Sequence, residues 1–339
     1  MKKTTIITMA MLLTAMSCQK NITSEENPTN ENQPIKLTLT ASIARPETKV
    51  TYTDEDNSLK FAWEEGDQVS LITLDASGKV LSNDVLTSKD GGTNAQFEGT
   101  WSNPENAKTV SVYYPALTEG DGKNNEWESK NYDGYSGEGV LSGCKIGNSY
   151  IYVRSTFHFQ TKNGDPSDLK HYVVMKGDIS DIQELSSGKT SSALKNMCYV
   201  IKVKAKVPET EAFEKITSIK IEEETGNHPI TFIGGTSLGN NFCSDNGYPS
   251  YSVSVGLGDK LQDYYESGSG VSSDSEGCVT AYMMCYGGKE YTLPSGTELK
   301  VSISIYGLES AANATITLAR DNTFEPGKMY RLNATLKAQ

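Results

Sequence analysis

Alternation of apolar and polar residues with a period of two constrains this chain more than any other feature. Leu37, Leu39, Ala41 and Ile43 alternate with Lys36, Thr38, Thr40 and Ser42. Tyr199, Ile201, Val203, Ala205 and Val207 alternate with Val200, Lys202, Lys204 and Lys206. Successive side chains of an extended backbone point to opposite faces, so this period predicts strands with one buried face. The three lysines are read as the solvated face that such alternation requires. Similar patterns predict strands at Lys49–Thr53, Ala95–Thr100, Val110–Tyr114, Ser149–Gln160, Lys170–Met175, Ile216–Glu222, Tyr251–Val255, Cys278–Tyr286, Leu299–Tyr306, Ala314–Leu318 and Tyr330–Leu336. Pro115 ends one of these, because proline cannot donate to a ladder. Strands recurring every ~8–12 residues predict an all-β protein built as a β-sandwich.

The stretch Phe61–Leu74, FAWEEGDQVSLITL, reads as two strand pieces around a Glu64-Glu65-Gly66-Asp67 corner, with Phe61, Trp63, Val69, Leu71 and Thr73 on one side. Polar turns flank it at Asp54–Ser58 and Ala76–Lys79. Asp54, Asp56, Ser58 and Glu65 imitate the spacing of a calcium loop, but Leu59 stands where that loop needs glycine for its sharp turn. The stretch is therefore read as a hairpin tip. Glu119–Gly143, rich in Gly, Asn, Asp and Tyr, reads as a long surface excursion holding a short strand. Asp178–Thr190 reads as a polar connector with a helical turn at Asp181–Leu185. At 339 residues the chain accommodates two cores, and the expected division is 35–180 and 190–339.

The formal net charge is −12. An acidic chain lacks the basic face that nucleic acid or an anionic membrane surface would require, so nucleic acid is not an expected partner.

The amino terminus specifies export. Lys2 and Lys3 precede an apolar run from Ile6 to Met16, too short to span a membrane, and Ala15-Met16-Ser17-Cys18 follows. This pattern resembles a lipoprotein signal: residues 1–17 are removed between Ser17 and Cys18, and Cys18 carries the lipid. Residues 18–34 are polar and rich in Asn, Glu, Pro and Thr, the composition of a flexible tether. Gln19 is not the aspartate associated with inner-membrane retention, which directs the expectation to the outer membrane and the cell surface.

Motifs of catalysis are missing from the sequence. His158, His171 and His228 stand apart, and there is no HExxH, CxxC, GxSxG, P-loop or dinucleotide fingerprint. No catalytic residue, metal ligand or cofactor is nominated, and the chain is expected not to be an enzyme. Apart from Cys18 there are five cysteines: Cys144, Cys198, Cys243, Cys278 and Cys285. An odd number leaves at least one unpaired, and buried free thiols acting as small hydrophobes are expected. Cys278 and Cys285, seven apart on one strand, face opposite ways and do not form a bridge.

Two motifs carry a resemblance. Trp-Glu-x-Gly-Asp at Trp63–Asp67, set between strands, and Phe-x-Pro-Gly-Lys-x-Tyr-x-Leu at Phe324–Leu332 resemble the two ends of fimbrillin-like proteins, the type V pilin superfamily of surface lipoproteins. The resemblance covers most of residues 35–337. It implies two tandem transthyretin-like β-sandwich domains and assembly with other fimbrial subunits by strand exchange. An arginine-specific protease would remove the first strand, Leu37–Ile43, by cutting after Arg45, and a neighbour's strand would fill the groove. Pro46 hinders that cut, and the chain stops three residues after Leu336 without the extra polymerising strands of shaft subunits. The expectation is therefore an accessory, anchor or tip component that meets a host or bacterial surface ligand. A stand-alone glycan-binding lipoprotein is the alternative, with Trp127, Tyr132 and Tyr135 as sugar-stacking aromatics.

Overall fold

The first alternating segment forms strand β1 (Ile35–Ile43), with Leu37, Leu39 and Ala41 buried and Lys36 and Thr40 exposed. The computed structural model describes residues 33–43, 61–119, 127–129, 141–142, 150–153, 157–209, 213, 215–233, 236–237, 248–258, 270–286, 290–305 and 308–339. The segments Lys49–Thr53 and Asp54–Ser58 lie outside these residues. Among the described residues there are 25 strands and one four-residue α-helix, so the all-β class expected from alternation is what the chain adopts.

Strands β2 (Gln68–Leu74), β3 (Val80–Ser88), β4 (Asn94–Trp101) and β5 (Thr109–Tyr114) follow β1. The corner before β2 is a turn in which Gly66 takes φ of +91°, a conformation that favours glycine. Trp63 makes only an isolated bridge to Gly92 there, so the expected first strand piece is a single anchored residue. Beyond β5 come four short strands, β6 (Leu117–Glu119), β7 (Trp127–Ser129), β8 (Leu141–Ser142) and β9 (Tyr150–Val153), which form one small sheet together with Thr236–Ser237 of the second half.

After β10 (Phe157–Gln160) the segment Lys170–Met175 departs from its expected strand. Ser167–His171 is a 3-10 helix, and the next strand, β11, runs Met175–Ile179. Pro166 stands at the helix start, and the Asp168 carboxylate accepts from the Thr161 N–H at 2.7 Å and its hydroxyl at 2.9 Å. Leu169, Tyr172, Val173 and Val174 are consecutive enough in burial to pack from a turn rather than a pleat. Helix α1 (Ile182–Leu185) sits where expected, capped by the Asp181 carboxylate, which accepts from the Gln183 N–H at 2.9 Å. Lys189–Asn196 then forms β12, an alternating strand whose burial pattern was not recognised in the polar sequence KTSSALKN.

Seven strands close into a ring in the order β1-β12-β11-β5-β2-β3-β4, with β4 returning to β1. β1 with β12 is the one parallel pair of the ring, and the others are antiparallel. The ring encloses Leu37, Leu39, Trp63, Val69, Leu71, Phe97 and Val112. Thr73 is buried beside them and accepts from the Trp101 indole N–H at 3.0 Å, which satisfies both polar groups.

The second half begins with β13 (Cys198–Lys206) and β14 (Ile216–Glu223) and continues through the short β15 (Thr231–Ile233), β16 (Thr236–Ser237) and β17 (Tyr248–Ser250). Then come β18 (Ser252–Leu257), β19 (Cys278–Tyr286), β20 (Tyr291–Leu293), β21 (Glu298–Ile305), β22 (Leu308–Thr317), β23 (Asn322–Phe324), β24 (Met329–Thr335) and β25 (Lys337–Ala338). One sheet has the order β10-β18-β14-β21-β22-β25 and a second has β19-β13-β24. Apolar residues of both sheets, among them Tyr199, Ile201, Val203, Ile219, Ile221, Val301 and Ile303, share a second core. The opposite face of β13 and β19 gives Cys198, Val200, Tyr282, Met284 and Tyr286 to the first core, so β19 is buried along its whole length. Phe157–Gln160, expected in the first sandwich, instead pairs in parallel with β18 of the second half.

Candidate functional site

β1 is the candidate site, because it is the first described strand in the chain and its loss would open the ring. Its backbone is paired on both sides. Ile35 to Ser42 run antiparallel to Trp101 to Asn94, and Thr38 to Ile43 run parallel to Lys189 to Leu194. Beyond the ladders, the Thr38 N–H donates to the Gly188 carbonyl at 2.9 Å and the Ile43 N–H to the Thr93 carbonyl at 3.2 Å. Leu37, Leu39 and Ala41 occupy the interior with 2% or less of their surface exposed. Burial of side chains like Leu37 and Leu39 is worth ~1.5–3 kcal/mol each.

The backbone packs closely around the strand and beside it, at two glycines. Gly99 lies opposite Leu37, and a Cβ added there would stand 2.4 Å from Leu86 Cδ2 and 2.9 Å from the Val85 carbonyl oxygen. Gly188 takes φ of +77°, with Lys36 O 2.9 Å from where a Cβ would be. The Trp63 indole N–H donates to the Ala41 carbonyl at 3.1 Å, a buried bond. Its ring is held edge-on by Phe97 and Tyr114, both with centroids 5.1 Å away. The Trp-Glu-x-Gly-Asp corner therefore fastens β1 directly, a role that pattern alone did not reveal.

The same corner is closed by Asp67. Its carboxylate accepts from the Glu64 N–H at 2.8 Å and the Tyr114 hydroxyl at 3.4 Å. Burial pushes the Asp67 carboxyl above the ordinary carboxylate range, and the hydrogen bonds only partly offset this. Lys170 pairs with Glu64 at 3.3 Å on the exposed side.

Of the sequence-nominated residues, Ser17, Cys18 and Arg45 lie outside the described residues, as do Tyr132 and Tyr135, Cys144 and Cys243. Trp127 opens β7. Cys198, Cys278 and Cys285 are buried, and Cys278 and Cys285 are free thiols, as expected for thiols serving as small hydrophobes. Burial raises the Cys285 thiol far above its ordinary range, which keeps it protonated. Asp274, Glu276 and Cys278 bring three potential ligand atoms together. The Asp274 carboxylate there accepts from the Glu276 and Cys278 N–H groups at 2.9 Å, and Glu276 is paired with Lys204. The group is accounted for as a turn and an ion pair.

Sequence reasoning also missed Gln160 and Asn163. Gln160 is buried at the end of β10, and both side chains reach the outer edge of β19. A polar pair at a strand end carries no signal that separates it from loop residues.

No family model matches the chain, and no curated protein matches it. Among solved structures it is similar to a "putative cell adhesion protein" from Bacteroides ovatus, at 12% identity and a TM-score of 0.41, covering 91% of this chain and 96% of that one. It is also similar to a fimbrial assembly protein from Parabacteroides distasonis, at 14% identity and a TM-score of 0.35, covering 89% and 90%. A third is the fimbrial anchor protein Mfa2 from Porphyromonas gingivalis, at 10% identity and a TM-score of 0.36, covering 84% and 83%.

Proposed function

We propose that the chain is a fimbrillin-type surface lipoprotein, a structural or adhesive component of fimbriae without enzymatic activity. In this reading Cys18 carries the lipid that holds it to the outer membrane. Neighbouring subunits are joined by addition of a strand at the place of β1. Pro46, directly after Arg45, favours an accessory, anchor or tip role over a shaft role.

The observation that carries the proposal is the two-sided pairing of β1 with its alternating buried residues. A strand held in this way leaves two open edges and a row of apolar pockets when it is withdrawn, and both are costly in water. A partner strand with the same alternation restores the ladders and refills the pockets, the physical basis of strand addition.

The test is the intact mass of the protein from sheared surface filaments and, separately, from washed envelope of the native bacterium. A lipid-modified species starting at Cys18 and confined to the envelope supports the anchor or accessory reading. A species starting at Pro46 in filaments, abolished by Arg45→Ala, supports strand exchange and overturns the preference against a shaft subunit. An unmodified species free of both fractions overturns the proposal.

A further inference from the structure

β19 has the sequence CVTAYMMCY: nine residues without a charge, a proline or a glycine. Such a segment at a sheet edge is a template for pairing with another chain, and natural edges are guarded against it. β19 is an edge. It is paired with β13 from Cys278 to Tyr286 on one side, and on the other side, among the described residues, no strand lies against it in its sheet.

Side chains take the place of that missing strand. The Tyr282 N–H donates to Gln160 Oε1 at 3.0 Å, and Gln160 Nε2 donates to the Thr280 carbonyl at 2.8 Å. Asn163 repeats the pattern one pleat along: the Thr280 N–H donates to its Oδ1 at 2.7 Å, and its Nδ2 donates to the Cys278 carbonyl at 3.1 Å. The Gly164 N–H adds a bond to the Thr280 carbonyl at 3.0 Å. At the far end the Tyr286 N–H donates to Thr231 Oγ1 at 2.8 Å. Each carboxamide offers a donor and an acceptor side by side, the spacing a backbone peptide would present.

The clamp also joins two sheets. The main chain of Gln160 pairs with Leu257 in β18 and accepts from the Gly258 N–H at 3.0 Å, while its side chain serves β19. One residue thus closes the side of the second core between the edges of its two sheets.

We propose that the outer edge of β19 is a latent self-pairing edge, held shut by Gln160 and Asn163, and that its partner when opened is β19 of a second copy. Antiparallel pairing of two uncharged copies about a twofold axis sets no like charges opposite one another, so the strand is complementary to itself. The clamp is an autoinhibitory contact built from the last residue of β10 and the segment that follows it.

The experiment compares the full chain with a Gln160→Met, Asn163→Leu double variant, which keeps side-chain size and removes the hydrogen bonds. Amide exchange and sedimentation are followed over a wide concentration range. In dilute variant, protection at Thr280 and Tyr282 is expected to fall by about tenfold or more, while the alternate amides of Val279, Ala281 and Met283, which face β13, stay protected. At high concentration a dimer is expected in which Thr280 and Tyr282 regain protection. Unchanged protection at these two amides overturns the clamp. A variant that stays monomeric with them unprotected, or that associates without protecting them, overturns the self-pairing edge. If the double variant loses protection throughout β19, the single variants are read instead, Gln160→Met at the Tyr282 amide and Asn163→Leu at the Thr280 amide.

Discussion

The indole of Trp63 donates a buried hydrogen bond to the carbonyl of Ala41, 22 residues upstream, and so ties the turn before β2 to the strand that closes the ring. Trp63→Phe keeps an aromatic ring against Phe97 and Tyr114 but removes the bond and part of the volume. The variant is expected to lose roughly 2 kcal/mol in urea unfolding. Amides of β1 should exchange faster in it than those of β2 and β5. A loss spread evenly over the ring would show that Trp63 does not hold β1 in particular.

Burial along β1 predicts a sharp contrast between adjacent positions. Leu39 is fully buried and Thr40 exposed. Leu39→Ala should cost ~2–5 kcal/mol and Thr40→Ala within about 0.5 kcal/mol, read from the denaturant midpoint. Comparable losses at both positions would contradict the inward face assigned to Leu39.

Close approach makes Gly99 a test of how tightly β4 packs on β3 beside that strand. A methyl there meets Leu86 Cδ2 and the Val85 carbonyl, and the latter is backbone that cannot turn aside. Gly99→Ala is expected to destabilise by ~1–3 kcal/mol through overpacking, although alanine is ordinarily accepted in a strand. Thermal unfolding of the variant measures it.

Asp67 predicts a pH dependence. Its folded-state carboxyl titrates above the ordinary value of 3.8, chiefly because of burial. The folded state therefore binds this proton more tightly than the unfolded state does. The associated stability is fully present below the unfolded value and is lost as pH rises through the folded one. Asp67→Asn removes the titration, so its stability relative to the native chain should improve from acid to neutral pH. Urea midpoints of both proteins over that range decide it, and a relative decline would reverse the sign of the shift.

Much of this fold was legible as pattern, because alternation is a local property of the backbone. Leu37, Leu39 and Ala41 in β1 and Tyr199, Ile201 and Val203 in β13 point inward as their spacing requires. The helical turn at Asp181–Leu185 and the break at Pro115 were equally local. β12 was not legible, since KTSSALKN buries Thr190, Ser192, Leu194 and Asn196, a face only partly apolar. The 3-10 turn at Ser167–His171 was hidden by apolar residues that pack without alternating.

By itself the sequence determined the all-β class, the inward face of most strands and the lack of recognisable catalytic motifs. Tertiary structure alone decided which strands are neighbours: that β1 closes a ring between β4 and β12, that β10 joins the sheet of the second half, and that Gln160 and Asn163 stand in for a strand beside β19. The reason is physical. A period of two records which side of a strand avoids water, but ladder hydrogen bonds are the same for every sequence. The choice of partner is therefore made by packing between segments far apart in the chain.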